Sequence, residues 1–326
     1  MREFIIQPCD AGKRLDRWLS RELPALPMGL MQKFIRLKRI KLNGKAAPRD
    51  ARLNEGDLLQ LYLNDEYFEK PRVVDPFLSK IHPHLSIVHE DEHLLLADKR
   101  PGLTVHPDEH EKVNTLLTHA RAYLYQKGEY DSMDPAAFAP VLCNRIDRFT
   151  GGIVLIAKTE AAMHILNQKI RSREIEKRYL CIVHDRVNPP EGLLDSYLLK
   201  SKAQKRVTVL DREAPGAQRA QTRYRTLAAN GGLSLLECEL LTGRTHQIRA
   251  QLAHIGHPLL GDGQYGDPRR DERYHRHFQA LYAYRLDFRF TTDAGVLEPL
   301  NGRSWQVADV PFVREYFPGF DLSSLT

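Results

Sequence analysis

The residue of this chain best placed to do chemistry is Asp147, in the run Cys143-Asn144-Arg145-Ile146-Asp147-Arg148-Phe149-Thr150-Gly151-Gly152. The acid stands at the edge of Ile153-Val154-Leu155-Ile156-Ala157, an apolar run that reads as a buried strand. Such a strand supports the acid rigidly without burying it in a sheet. The flanking Arg145 and Arg148 favour its carboxylate form. A carboxylate held this way can act as a nucleophile or stabilise an oxocarbenium-like species. Taken alone, R-x-D-R is more simply a surface loop with a salt bridge. Two other stretches speak against leaving it there. In Lys177-Arg178-Tyr179 a tyrosine opens a strand expected over 179–183, next to the cations Arg171, Arg173, Lys177 and Arg178. A tyrosine at a strand edge is ordinarily core packing with its hydroxyl at the rim. In Thr242-Gly243-Arg244-Thr245-His246-Gln247-Ile248-Arg249, the spacing of Ile248, Leu252 and Ile255 predicts a helix. Thr245 is its expected N-cap, and Gly256 and Pro258 are stop signals. Arg249 then lies one turn in, beside His246. The helix-start amides and Arg244 together make a phosphate site. His246, His254 and His257 lack H-x-x-x-H spacing and have no carboxylate between them, so no metal site is expected.

The elements that must carry these residues are legible in outline. The chain has 326 residues and is 42% hydrophobic, enough for two domains with real cores. A net charge of +6 favours a polyanionic partner, though an excess of this size also occurs on ordinary soluble proteins. Cys9, Cys143, Cys181 and Cys238 form no C-x-x-C pair, which argues against a zinc knuckle or a thioredoxin-like motif and for reduced, buried thiols. Neither a signal peptide nor a membrane-length apolar run is visible, so a cytoplasmic protein without membrane contact is expected. Strands are expected over 85–91 and 94–99, then a Pro- and Gly-punctuated loop over 100–107 and a helix over 115–125. Thr159 caps a helix running to 170, with Ala162, Ile165, Leu166 and Lys169 on one side.

Leu15, Trp18, Leu19 and Leu23 share a helix face, ended by Pro24 and Pro27. A second helix turns Met31, Phe34 and Ile35 inward. Lys33, Arg36, Lys38, Arg39, Lys41 and Lys45 gather outside. Asn43-Gly44 is a type I′ hairpin signal, and residues 54–57 turn into a closing strand over 58–63. Residues 64–80, with Pro71, Pro76 and scattered charge, read as a linker. The organisation is therefore 1–63, a linker over 64–80, and 81–326.

Residues 1–63 resemble the α-L RNA-binding domain. Arg14-Leu15-Asp16, the helix around Gln32-Lys33-Phe34-Ile35, Ile40-Lys41-Leu42-Asn43-Gly44-Lys45 and Leu53-Asn54-Glu55-Gly56-Asp57 carry the match. The rest resembles the RluA-type pseudouridine synthases, which act on large-subunit ribosomal RNA and some transfer RNAs. That family's H-R-L-D-x-x-T-S-G is matched by residues 144–152, its K-x-Y by Lys177-Arg178-Tyr179, and its T-G-R-T-H-Q-I-R by residues 242–249. An H-x-G-H-P-I-x-G-D pattern follows at 254–262, and the entrance loop K-P-x-G-L-x-V-H-P at 99–107 has Arg100 inserted. Asn144, Phe149 and Gly151 depart from the pattern.

The resemblance implies an α+β fold: a catalytic domain with a mixed, mostly antiparallel sheet and a central cleft, beside the small N-terminal domain. It implies isomerisation of uridine to pseudouridine in RNA without cofactor or metal. Asp147, Tyr179 and Arg249 are the implied catalytic set, with Arg249 holding Asp147 and Arg244 as the alternative partner. Arg145 is implied to fill the space the uridine vacates, and Tyr179 to stack on the extruded base. Arg145, Arg148, Arg244, Lys33, Arg36, Lys38, Arg39, Lys41 and Lys45 are the expected RNA contacts. The partner is large-subunit ribosomal RNA first and transfer RNA second, met by a monomer. A non-catalytic ribosome-assembly protein is countered by the intact Asp147, Tyr179 and Arg249. A hydrolase is countered by the want of a second acid.

Overall fold

The computed structural model describes residues 1–68, 74–109, 111–201, 206–276 and 278–325. The Cys9 side chain and residues 69–73 of the expected linker lie outside the described residues. The chain divides into two compact units, Met1–Val74 and Asp75–Thr326. No helix among the described residues is long and apolar enough to cross a membrane.

In the first unit, β1 (Arg2–Ile5) is followed by α1 (Leu15–Glu22) and α2 (Met28–Arg36), then by β2 (Ile40–Leu42), β3 (Lys45–Ala46) and β4 (Leu58–Leu61). The antiparallel sheet runs β1-β4-β2-β3. Leu15, Trp18 and Leu19 of α1 and Met31 and Phe34 of α2 close a core over Ile40, Leu59 and Leu61. The hairpin forms where Asn43 and Gly44 both take positive φ, 51° and 77°. The β1 strand had no sequence signal: it is short, mostly exposed, and depends on pairing with β4 across the whole unit.

The second unit is built on an 11-stranded sheet. Its strands are β5 (Ser86–Glu90), β6 (Leu94–Lys99), β7 (Val141–Leu142), β8 (Gly151–Ala157), β9 (Ile175–His184), β10 (Glu191–Ser201), β11 (Arg206–Leu210), β12 (Gln218–Asn230), β13 (Leu233–Leu240), β14 (Leu281–Phe288) and β15 (Ser304–Gln306). The order is β11-β10-β12-β13-β9-β14-β8-β6-β5, with β7 on β8 and β15 on β14. The β14–β8 pair is parallel and the other pairs are antiparallel. The architecture is thus α+β on a mixed, mostly antiparallel sheet.

Its two faces support separate cores, which explains why β8 is apolar throughout. Ile153, Leu155 and Ala157 face one core with Ala162 and Leu166 of α4 (Glu160–Arg171). Val154 and Ile156 face the other, with Leu116 and Ala120 of α3 (Leu116–Lys127) and Ile248 and Leu252 of α5 (Gln247–His254). Each valine, leucine or isoleucine among them contributes about 1.5–3 kcal/mol by leaving water. Thr115 caps α3 by accepting from Thr118 N, and left-handed Gly128 stops it.

Three sequence expectations need correction. The strand holding Tyr179 begins at Ile175, so Tyr179 lies mid-strand. Glu176 and Arg178 tolerate that position because Arg178 sits amid Glu176, Glu237 and Asp287 on one face, leaving Lys177 and Tyr179 to the other. Thr245 does not cap α5: His246 is the N-cap, in the left-handed region at φ 54°. The Gln247 side chain ties the turn that precedes the helix, its Oε1 accepting from Arg244 N at 3.0 Å and Thr242 Oγ1 at 2.8 Å. Finally, residues 75–80 fold with the second unit. Asp75 N donates to Tyr125 Oη at 2.8 Å, and Leu78 packs on Ala122 and Tyr125.

Candidate active site

Asp147 lies in the loop between β7 and β8, and that loop is fastened at several points. Cys143 N donates to Leu155 O at 2.8 Å, and Leu155 N donates to Asn144 Oδ1 at 2.7 Å, so the residue standing where the family pattern has His caps the strand edge. Ile146 is buried in the core beneath. Thr150 N returns to Asp147 O at 3.1 Å. Two glycines then let β14 approach. A Cβ on Gly151 would fall 2.3 Å from the Tyr282 ring, and one on Gly152 would fall 2.2 Å from Ala283 O. The Gly151 departure is therefore matched by Tyr282, whose hydroxyl donates to Asp98 Oδ1 at 2.8 Å.

Among the described residues neither flanking arginine pairs with Asp147. Arg148 Nε donates to Gly102 O at 3.0 Å, and its carbonyl accepts from Gly102 N. Arg145 is exposed. Burial, and then the Arg145 charge, hold His106 below the usual imidazole range. The partner is Arg249 on α5, whose Nη1 donates to Asp147 Oδ2 at 2.8 Å. Arg249 is itself clamped by Asp262, through Nε at 2.7 Å and Nη2 at 2.9 Å. Nη2 also reaches Gln264 Oε1 at 3.2 Å, and the guanidinium lies 5.2 Å from the Tyr265 ring centre. Burial opposes the charge of Arg249, but Asp262 and Asp147 together raise its affinity for the proton.

Sequence reasoning did not single out Asp262 as part of the site, although it closes the matched H-x-G-H-P-I-x-G-D pattern. It is 1% exposed and engaged on Arg249, so it cannot serve as the second acid of a hydrolase. Asp147 is 27% exposed and touches Arg249 through one oxygen. Its other oxygen, Oδ1, faces His246 Nε2 at 3.9 Å. The left-handed backbone of His246 turns its Nδ1 onto Tyr265 Oη at 2.9 Å. Burial lowers the His246 pKa against the pull of Asp147. His254 and His257 point elsewhere, to Asp211 Oδ1 at 2.9 Å and His184 O at 3.1 Å.

Tyr179 is 6% exposed, within the core containing Val154, Cys181 and Ile248. Burial, then the Asp147 charge, pushes its phenol up, so it holds its proton at neutral pH. Arg244 is exposed and donates Nε to Arg219 O at 3.2 Å, away from the acid. Lys99, passed over in the sequence, is wholly buried at the end of β6. Its Nζ donates to Leu103 O and Arg148 O, both at 2.9 Å, and to Arg100 O at 3.2 Å, tying the entrance loop to the acid loop.

In the first unit, Lys33, Arg36, Lys38, Arg39 and Lys45 are exposed and Lys41 is half-buried. Arg39 lies over Phe34 and Lys41 over Tyr62. Among the described residues none of the six forms a salt bridge, whereas Lys13, Arg14, Arg21 and Arg49 pair with Asp10 or Asp16.

The family model for RNA pseudouridylate synthase matches residues 93–254. An uncharacterized RNA pseudouridine synthase of Chlorobaculum parvum is 31% identical over 317 residues, covering 93% of each chain. A protein named ribosomal large subunit pseudouridine synthase D, from Zymomonas mobilis, is 36% identical over 220 residues, 67% of each. The solved human RNA pseudouridylate synthase domain containing 1 shares the fold at TM-score 0.56 and 19% identity, covering 74% of this chain and 93% of its own.

Proposed function

Because this chain belongs to the RNA pseudouridylate synthases, we propose that it isomerises uridines of large-subunit ribosomal RNA, using Asp147 as its catalytic carboxylate and no cofactor. The ribosomal substrate is supported by the name of the Zymomonas mobilis relative. The observation that carries the catalytic assignment is the division of Arg249 between two acids. Asp262 takes two of its N–H groups and Asp147 one, so Arg249 orients Asp147 while leaving Oδ1 outside the clamp. At about 4 Å and an effective dielectric near 20, a pair of this kind interacts by roughly 4 kcal/mol before desolvation is subtracted.

The isomerisation breaks the N1–C1′ bond, turns the uracil and forms C5–C1′. One proton leaves C5 and one ends on N1, with no change of oxidation state. Positive charge develops on the ribose as the first bond breaks, and the Asp147 carboxylate offsets it, by ion pairing or by a covalent bond. The uridine must first leave its stack, at a cost of a few kcal/mol. Arg145, exposed next to the acid, is suited to occupy the vacated space. Arg148 and Arg244 face RNA phosphates. The first unit is an α-L-type RNA-binding domain, and its six cations without a salt bridge among the described residues supply affinity. The enzyme works as a monomer in the cytoplasm.

Tritium at uracil C5 of a large-subunit ribosomal RNA transcript gives the test. Wild type should release it, and Asp147→Asn should release none while binding the transcript within a few fold. Release by an Asp147→Asn preparation free of wild-type enzyme would move the catalytic role elsewhere.

A further inference from the structure

The rim beside Asp147 carries an aromatic stack that the isomerisation described above does not use. Phe149 lies face to face with Phe278, ring centroids 4.2 Å apart and planes inclined by 13°. The Arg148 guanidinium lies 5.4 Å from the Phe149 ring centre. Neither phenylalanine belongs to the two sheet cores. Phe278 is 47% exposed, and among the described residues no further ring or guanidinium stacks on it. The stack thus ends in an open aromatic face.

This stack is registered with both halves of the site. At the Phe149 end, Arg148 is tied to Gly102 and, through its carbonyl, to buried Lys99. At the Phe278 end, Gln279 Nε2 reaches Thr150 Oγ1 at 3.4 Å, and Ala280 N donates to Leu260 O at 2.8 Å. Phe278 passes so close to left-handed Gly261 that a Cβ there would fall 2.4 Å from Phe278 O. Gly261 precedes Asp262, which clamps Arg249. An exposed ring held between the acid loop and the loop that holds its arginine is prearranged for a ligand at that acid.

We propose that Phe278 offers the outer face of this stack to an unpaired nucleobase adjacent to the target uridine, making it an RNA-positioning residue. This rests on the reading of the site as one that takes uridine in RNA. Extrusion of the uridine takes one stacking partner from each neighbour, and a neighbour that is itself unpaired can recover one on an exposed ring even with Arg145 in the vacated space. Any base can stack on an aromatic face, and a nearby arginine suits the phosphate of the same nucleotide.

The test uses the full-length enzyme and a synthetic hairpin RNA carrying a uridine that wild type converts in the ribosomal transcript. Phe278→Ala should weaken binding about 5- to 100-fold while the single-turnover rate at saturating RNA stays close to wild type. Phe278→Trp should bind as well as wild type. Abasic substitution of one neighbouring nucleotide should weaken wild type and leave Phe278→Ala unaffected. Unchanged binding by Phe278→Ala overturns the proposal. So does a loss of rate at saturation with binding intact, which would make the stack a brace for the acid loop. Should Phe278→Ala fail to fold, the abasic series on wild type still decides, since affinity indifferent to every neighbouring base also overturns it. A wild type that converts no uridine in the transcript sinks the functional reading instead.

Discussion

Tyr179 has to be reconciled with its surroundings before it can be given a chemical part. Its ring is locked among Val154, Cys181 and Ile248, with 6% of its surface accessible. Its phenol is pushed up by burial and then by Asp147, so it is no standing phenolate. It can donate a hydrogen bond to the reacting base, or pass on the C5 proton once a neighbour takes its own. Tyr179→Phe keeps the packing and removes only that ability. We expect RNA affinity within a few fold, an unchanged melting temperature, and a single-turnover rate lower by about 10²–10⁴-fold, the range of general acid–base contributions. A Phe variant at wild-type rate would reduce Tyr179 to a core residue. At this scale the Asp147–Arg249 pair was legible because both residues sit in motifs, 102 positions apart though they are. Asp262 was not, because an acid after a glycine reads equally well as a turn. The direction of the flanking arginines was not legible, because adjacency in sequence says nothing of it: Arg148 points its Nε at Gly102 O.

Among elements, the end of β6 has the most unusual chemistry. Lys99 is wholly buried, its charge set against three carbonyls and, among the described residues, no salt-bridged acid. Burial pulls its ammonium from 10.5 down to about 7, with Asp147 and Asp98 resisting. Lys99→Met should lower both the melting temperature and the turnover rate, because each buried carbonyl left without a donor costs about 1–3 kcal/mol and the loop carrying Asp147 loses its tie. The pH dependence has a definite sign. Between pH 7 and 10.5 the unfolded chain binds the Lys99 proton and the folded chain does not. Unfolding there takes up a proton, so raising the pH stabilises the native state. Melts from pH 6.5 to 9.5 should therefore show wild type gaining on Lys99→Met as pH rises. A gap that stays flat with pH would mean Lys99 keeps its charge in the fold. The strands β5, β6 and β8 and the helices α3 and α4 could be read from periodicity and caps, since both signals are local. The true start of β9 could not, because its polar residues depend on acids from β13 and β14. The start of α5 could not, because Gln247 fixes it through contacts reaching β12.

At the scale of the whole molecule, the two units each bury a core of their own, so each can fold without the other. The sequence reading put a linker over 64–80 because Pro76 and sparse apolar residues suggested one. Asp75 and Leu78 are nevertheless part of the second unit, and a chain meant to carry only the chemistry should begin at Asp75. That chain keeps Asp147, Tyr179, Arg249 and the Phe149–Phe278 stack. It loses Lys33, Arg36, Lys38, Arg39, Lys41 and Lys45, which have no internal counter-ions among the described residues. Cations of this kind release counter-ions when they meet phosphates, and each lost contact should reduce the slope of log K against log salt by about 0.7–0.9. The shortened chain should therefore bind ribosomal RNA more weakly at low salt, with a shallower salt dependence, and approach the full-length rate when RNA is saturating. Binding titrations across a salt series, paired with single-turnover rates at saturation, measure both. Full affinity with a collapsed saturating rate would mean that the first unit assembles the active site rather than holding the RNA.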